Sequence, residues 1–250
     1  MNAFELNAKL IREIKPSMSY DGKNLEEWQK TAKAKLAELL GMDKFTKVEP
    51  ELDIEYEKKI DGATEIRFTF QSEDGYRVPC HLLLPDGVEN PPVMICLQGH
   101  STGMHNSLGR AGAGEGYERD QWRIDKRDSD FCVRAIKEGF AAIALEQRNF
   151  GECGGLATGG PDCHVSSMTA IINGRTTIGE RALDTMVAID ALEQHFSQLD
   201  TENIVLMGNS GGGTLSLFVA ALVPEVKVLA STGYPSEFTY MLTKERRHCC

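Results

Sequence analysis

The sequence predicts an α/β fold: a mostly parallel sheet with helices on both faces, entered through a short antiparallel meander. Three observations carry this. Residues 93–97 (VMICL), 140–145 (FAAIAL) and 204–207 (IVLM) are short apolar runs, the length and content of strands buried on both faces. Residues 51–84 instead alternate apolar with polar around two Asp-Gly pairs, the pattern of hairpin strands. Between 203 and 223 the chain reads NIVLMGNSGGGTLSLFVAALV, a buried strand joined to a buried helix by a very tight glycine turn.

The elements follow in order. Residues 3–14 read as an amphipathic helix ended near Pro16, with a turn at Asp21-Gly22. Residues 25–40 (LEEWQKTAKAKLAELL) read as a second helix, N-capped by Asn24 and C-capped by Gly41. Leu25, Trp28, Ala32, Leu36 and Leu39 form its apolar stripe, which is expected to pack on the flank of the main domain. Residues 1–50 are therefore expected to be a helical extension and 51–250 the domain proper. Strands are expected near 51–59, 65–71 and 76–84, turned by Asp61-Gly62 and Asp74-Gly75. Ile66, Phe68 and Phe70 alternate with polar residues, which predicts one wet face. His81 reads as structural.

Asp86-Gly87 and Pro91-Pro92 mark the change to buried strands. The first of these ends in Gln98-Gly99-His100-Ser101-Thr102-Gly103. Residues 109–116 (GRAGAGEG) read as a flexible loop; with no strand before it and no helix after it, it lacks the context of a phosphate site. A helix is expected from Asp128 or Ser129 to Glu138, with Gly139 as its cap. The strand at 140–145 ends in Glu146-Gln147-Arg148-Asn149-Phe150-Gly151-Glu152. Arg148 reads as a pin for neighbouring loop carbonyls in preference to a substrate ligand. Residues 151–164 (GECGGLATGGPDCH) lie where binding loops collect, at the carboxyl end of that strand. Cys153, Cys163 and His164 match no zinc spacing, so no metal is expected. Residues 167–196 read as helical with a break at Asn173-Gly174. Ala182, Met186, Ile189 and Phe196 form the core stripe there, and Glu180, Arg181 and Asp184 are expected on a solvated face. His195 ends the helix. Residues 226–230 (VKVLA) are one more strand, followed by Ser231-Thr232-Gly233-Tyr234-Pro235.

Gly208-Asn209-Ser210-Gly211-Gly212 fits G-x-S-x-G in its required context of strand, turn and helix. Strand and helix nearly touch in such a turn, so the positions two before and two after the serine must be very small, and Gly208 and Gly212 are. The turn lifts the Ser210 hydroxyl into a cleft. It also aims the Gly211 N–H, at a helix N-terminus, at the place where an oxyanion would form.

The whole chain sets bounds. Its 250 residues can bury one sizeable core. A formal charge of −10 argues against nucleic acid and anionic membranes as partners. No apolar run approaches the roughly 18–20 residues that span a bilayer. The first 18 residues lack the apolar core of a signal peptide. Seven cysteines without regular spacing fit a reducing cytoplasm, and leave open a mature secreted form that has lost its leader.

The QGH after the first buried strand, the EQRNFGE strand end, the segment GRTTIGERALD and the turn GNSGGG together resemble bacterial acetyl xylan esterase-like and dienelactone hydrolase-like proteins of the α/β-hydrolase superfamily. The resemblance runs from about residue 51 to the end. It implies hydrolysis of short-chain acyl or acetyl esters, with carbohydrate esters among the candidate substrates, through an acyl-serine intermediate and with no cofactor. By position it makes Ser210 the nucleophile and the N–H groups of Gly211 and His100 the oxyanion hole. Dienelactone hydrolases proper carry a cysteine nucleophile, so serine points to the esterase branch.

In this fold the acid and then the histidine follow the serine, each on the end of a later strand. The 40 residues after Ser210 hold one helix, one strand and a loop. Glu237 is a poor acid candidate, and His248, beside Cys249-Cys250, has no strand before it. The expectation is a C-terminally incomplete sheet, with acid and base beyond residue 250. Two alternatives stay open: a propeller-less serine peptidase of the prolyl oligopeptidase type, and a non-catalytic ligand-binding protein. Oligomeric state is not readable.

Overall fold

The computed structural model describes residues 2–113, 116–126, 129–154, 161–233 and 238–240. Seven strands form one sheet: β1 (Leu52–Ile60), β2 (Ala63–Glu73), β3 (Tyr76–Pro85), β4 (Pro92–Leu97), β5 (Ala141–Leu145), β6 (Asp200–Asn209) and β7 (Val226–Thr232). Their order is β1-β2-β3-β5-β4-β6-β7. β1, β2, β3 and β5 pair antiparallel, whereas β5, β4, β6 and β7 run parallel. The two Asp-Gly pairs turn β1 into β2 and β2 into β3, as their preference for a left-handed backbone predicts; Gly62 and Gly75 both have φ of 72°.

The helices are α1 (Ala3–Glu13), α2 (Leu25–Leu40), α3 (Tyr117–Asp125), α4 (Phe131–Lys137), α5 (Cys163–Ile172), α6 (Thr177–His195) and α7 (Gly211–Leu222), with a helical turn at Phe238–Tyr240. α2, α6 and α7 cover one face of the sheet. Leu40, Leu192, Leu215 and Val219 pack there on Phe68, Phe70, Ile95, Leu97, Ile143 and Leu206. α4 covers the other face, where Phe131, Cys132 and Ala135 meet Leu83, Cys96, Ala142 and Ala144. Every residue of β5 is buried, which explains why its sequence shows no alternation. The chain has the α/β-hydrolase arrangement of sheet and helices.

The caps of α2 stand where the sequence puts them. The Glu27 N–H donates to Asn24 Oδ1 at 3.2 Å, and Gly41 is left-handed with φ of 77°. Its apolar stripe differs from expectation. Leu25 and Leu39 are exposed, while Leu40 is buried and Leu36 and Ala37 pack beside it. The helix is rotated because Leu40 is drawn into the main core.

Other differences have clear causes. The back of β2 is not wet: Glu65 and Arg67 are buried beneath the loops after β4 and β5, where opposite charges meet them. A helix, α3, does follow the 109–116 loop. Its sequence YERDQWRID is almost all polar and buries only Asp120 and Ile124. The helix expected from Asp128 or Ser129 begins at Phe131, after Asp130 as N-cap; Asp128 lies outside the described residues. Asn173-Gly174 does break α5 from α6, with φ of 70° at Gly174. Residues 155–160, Tyr234, Pro235, Glu237, His248, Cys249 and Cys250 also lie outside the described residues.

Candidate active site

β4, β5 and β6 are parallel, so their carboxyl ends open at one edge of the sheet, and the loops there define a site. Ser210 stands between β6 and α7 with φ of 53° and ψ of −117°. This is a strained conformation for a residue with a side chain. Neighbours hold it there. The Ser210 N–H donates to the Thr232 carbonyl at 2.8 Å, and the Ser210 carbonyl accepts the Thr214 N–H at 3.0 Å. The glycines are required by close approach: a Cβ at Gly208 would run into the Gly212 carbonyl and Ser216 Oγ, and one at Gly212 into the Leu97 carbonyl.

The loop after β4 faces this turn. A Cβ on Gly99 would stand 2.8 Å from the Asn209 carbonyl oxygen. Ser210 opens into a cavity of about 300 Å³ lined by Gln98, His100, Asn106, Arg123 and Ser129 among others. The lining is mainly polar, and Gln98 Oε1 and Ser129 Oγ have no hydrogen-bond partner among the described residues. The His100 ring packs on Phe150, centroids 5.4 Å apart. Gly211 begins α7. The structure thus brings together Ser210, Gly211, His100, Gly208 and Gly212. Among the described residues, His100 is the one histidine lining the cavity.

Two charge clusters brace the loops around the site. In the first, Arg148 reaches Asp184 by two hydrogen bonds of 2.8 Å and Glu73 at 2.7 Å, and lies over the Tyr76 ring at 4.3 Å. Arg148 is indeed a pin, but it grips carboxylates, not loop carbonyls. It is Arg181 that takes the carbonyl, donating to the Arg148 oxygen at 3.0 and 2.8 Å from a fully buried position over Phe150. Arg181 and Asp184 are therefore no solvated face. Burial raises the Asp184 carboxyl, and the Arg148 guanidinium pulls it back.

The second cluster joins β2 and β3 to the loops after β4 and β5. Arg67 donates to His81 Nε2 at 3.0 Å and to both oxygens of Glu152, at 3.0 and 2.5 Å. Since arginine can only donate, His81 Nε2 accepts, and its Nδ1–H donates to Glu65 Oε1 at 2.6 Å. Burial, with Arg67 beside it, holds His81 down at about 4, so it stays neutral at pH 7. His105 Nε2 lies 3.0 Å from the other carboxylate of the group, Glu152. His81, His105 and Glu152 have their ligand atoms within 4.8 Å of one another. The Arg67 guanidinium already lies among them, so this trio holds a fixed cation of the protein's own. Cys153 and Cys163 also have other neighbours: Cys163 Sγ accepts from Arg181 at 3.5 Å, and burial pushes the Cys153 thiol up to about 12.

One buried acid has no counterpart in the sequence reading. Glu146, directly after β5, is completely buried; burial pushes its carboxyl up, and the N–H groups of Glu152, Met104 and Gln147 hold it down. An acid placed straight after a fully apolar strand, with glycines nearby in two loops, was the available signal.

Comparison with known proteins agrees with the fold. Residues 171–247 match the acetyl xylan esterase (AXE1) family. No curated protein matches the sequence. Among solved structures, a candidate acetyl xylan esterase from Bacteroides fragilis superposes with a TM-score of 0.76 at 16% identity, over 92% of this chain and 60% of that one. Acetyl xylan esterase 1 from Thermoanaerobacterium sp. gives 0.54 at 17%, over 89% and 62%. A glucuronoyl esterase from Solibacter usitatus gives 0.55 at 14%, over 82% and 59%. The chain thus spans about three fifths of the length of these structural relatives.

Proposed function

We propose that this chain carries the nucleophile of a serine esterase acting on acetyl or other short acyl esters. The observation that carries the reading is the strained Ser210, held at a helix N-terminus and facing the loop after β4. Ser210 Oγ attacks the ester carbonyl carbon, and the carbonyl π electrons move to oxygen. The N–H groups of Gly211 and His100 take the oxyanion. Collapse of the tetrahedral intermediate expels the alcohol, which leaves with a proton, and water then clears the acyl-serine. The Ser210 proton needs a base; this chemistry calls for a histidine backed by a carboxylate, outside the described residues. Gly208 and Gly212 serve by being small. The polar cavity supports a hydroxyl-bearing alcohol, such as a carbohydrate, on the leaving side.

Residues 1–50 are read as a helical extension docked through Leu40 on a hydrolase domain beginning near residue 51. The five cysteines among the described residues are free, which supports a reducing, cytoplasmic setting. Among the described residues no helix is long and apolar enough to cross a membrane.

The test is intact mass before and after a fluorophosphonate probe, together with turnover of an acetyl ester, on the wild-type chain and on Ser210→Ala. Stoichiometric labelling lost in Ser210→Ala supports the reading. Labelling that survives the substitution overturns it, and a wild type that neither labels nor turns over ester has no base in reach of Ser210.

A further inference from the structure

Glu146 shows no surface to solvent, yet its carboxylate collects donors from three segments of chain. Oε1 accepts the Gln98 side-chain amide at 3.1 Å, the Met104 N–H at 3.1 Å and the Gln147 N–H at 3.2 Å. Oε2 accepts the Glu152 N–H at 3.2 Å and a longer contact from Met104 N–H at 3.3 Å. Every partner is a donor. That set suits an ionised carboxylate; a side-chain amide can satisfy only one half of it. Space for the carboxylate comes from Gly103 and Gly151, with φ of 115° and 42°, since a side chain on either would run into it.

The partners are informative by position. Gln98 and Met104 are the two ends of the loop that faces Ser210, and His100 lies between them. Next to Glu146, Gln147 fixes the same loop a third time, its Nε2 donating to the Gln98 carbonyl at 2.6 Å. A loop tied at both ends to one buried group has little freedom to drift from the serine opposite.

We infer that Glu146 is a positioning residue: it holds the 98–104 loop, and with it the His100 N–H, at a fixed distance from Ser210. Its catalytic consequence rests on the esterase reading above; its structural part does not. Glu146 touches no substrate. It acts by keeping the oxyanion donor aimed before the ester arrives, which is where a small displacement costs most rate.

Glu146→Gln keeps the shape but turns one accepting oxygen into a donor facing the Met104 and Glu152 amides. Two readouts on the 250-residue chain test it. Amide hydrogen exchange across 98–104 should speed up by about tenfold or more, with α6 and β6 unchanged. Acetyl-ester kcat should fall about ten- to hundredfold while KM stays within about twofold, and Glu146→Asp should recover part of the loss. Unchanged loop exchange overturns the inference, as does a variant whose KM rises at constant kcat. A wild type without Ser210-dependent turnover has no base in reach of Ser210, and loop exchange alone then decides whether Glu146 holds the loop. Should Glu146→Gln fail to fold, Gln98→Ala removes one donor only; faster exchange across 98–104 supports the anchor and unchanged exchange overturns it.

Discussion

A Cβ built on Gly99 would lie 2.8 Å from the Cβ of Ser210, closer than two carbon atoms can approach without one of them moving. The loop after β4 and the turn after β6 are therefore fitted to each other through a missing side chain. Gly99→Ala should push them apart. The expected result is fluorophosphonate labelling of Ser210 slowed about ten- to hundredfold, with far-UV circular dichroism unchanged. Wild-type labelling speed in this variant would show that the two loops tolerate separation.

Gly212→Ala should act on stability. The added methyl would meet the Leu97 carbonyl, which is backbone in the middle of the sheet and cannot turn aside. Overpacking of this kind should cost about 3 kcal/mol, read as a lower urea midpoint at constant slope. A loss below about 0.5 kcal/mol would mean that α7 shifts freely against β4.

The Arg148–Asp184 pair should behave as a unit. Asp184 has no exposed surface, and Arg148 keeps only 11% of its side chain exposed. Asp184→Asn leaves the guanidinium short of charge and should destabilise by about 3 kcal/mol. The double variant Arg148→Met with Asp184→Leu removes both charges and should cost less than the sum of the single changes. A double-mutant cycle by urea unfolding measures this coupling, and additivity would refute it.

The second charge cluster sets an acid limit on folding. His81 is held at about 4 by burial and Arg67, below its ordinary 6.5. Its folded pKa is depressed, so its contribution is present above 6.5 and is lost as pH falls towards 4. Burial would raise Glu65, but Arg110 and Lys58 outweigh it and hold it at about 2; Glu152 is brought to about 2 first by His105 and then by Arg67. Their contribution is complete above about 4.5 and disappears towards 2. Urea midpoints should therefore fall in two stages, from pH 6.5 to 4 and from 4.5 to 2. His81→Gln should remove the first stage and leave the second.

Local signals in the sequence were readable, and distant ones were not. Asn24 and Gly41 act within one turn of α2, and Asp61-Gly62 and Asp74-Gly75 act within their own hairpins, so each is visible in a few residues. The turn at Ser210 is likewise written in five consecutive positions. Arg181 and Asp184 looked like surface neighbours because their spacing suits a helix surface, but their partners, Arg148 and its carbonyl, arrive from another part of the chain. α3 was invisible because it offers the core almost nothing: its buried Asp120 faces the Thr102 N–H at 2.6 Å, a contact that no hydropathy pattern records. Glu146 was missed for the same reason, since its value lies in Gln98, Met104 and Glu152 taken together.

The order of strands in the sheet also has a consequence in time. β1, β2 and β3 pair with their immediate neighbours in sequence, so the meander can form as soon as it leaves the ribosome. β4 cannot finish so early. Its residues Met94 to Leu97 wait for Val205 to Gly208, more than a hundred positions later, and loop closure over such a distance is slow. Until β6 arrives, one side of β4 stays an open edge, able to pair with another nascent chain. Arrival of β6 closes that edge and draws Ser210 into its strained turn in the same event. The reactive centre is thus born late, after the scaffold that must hold it.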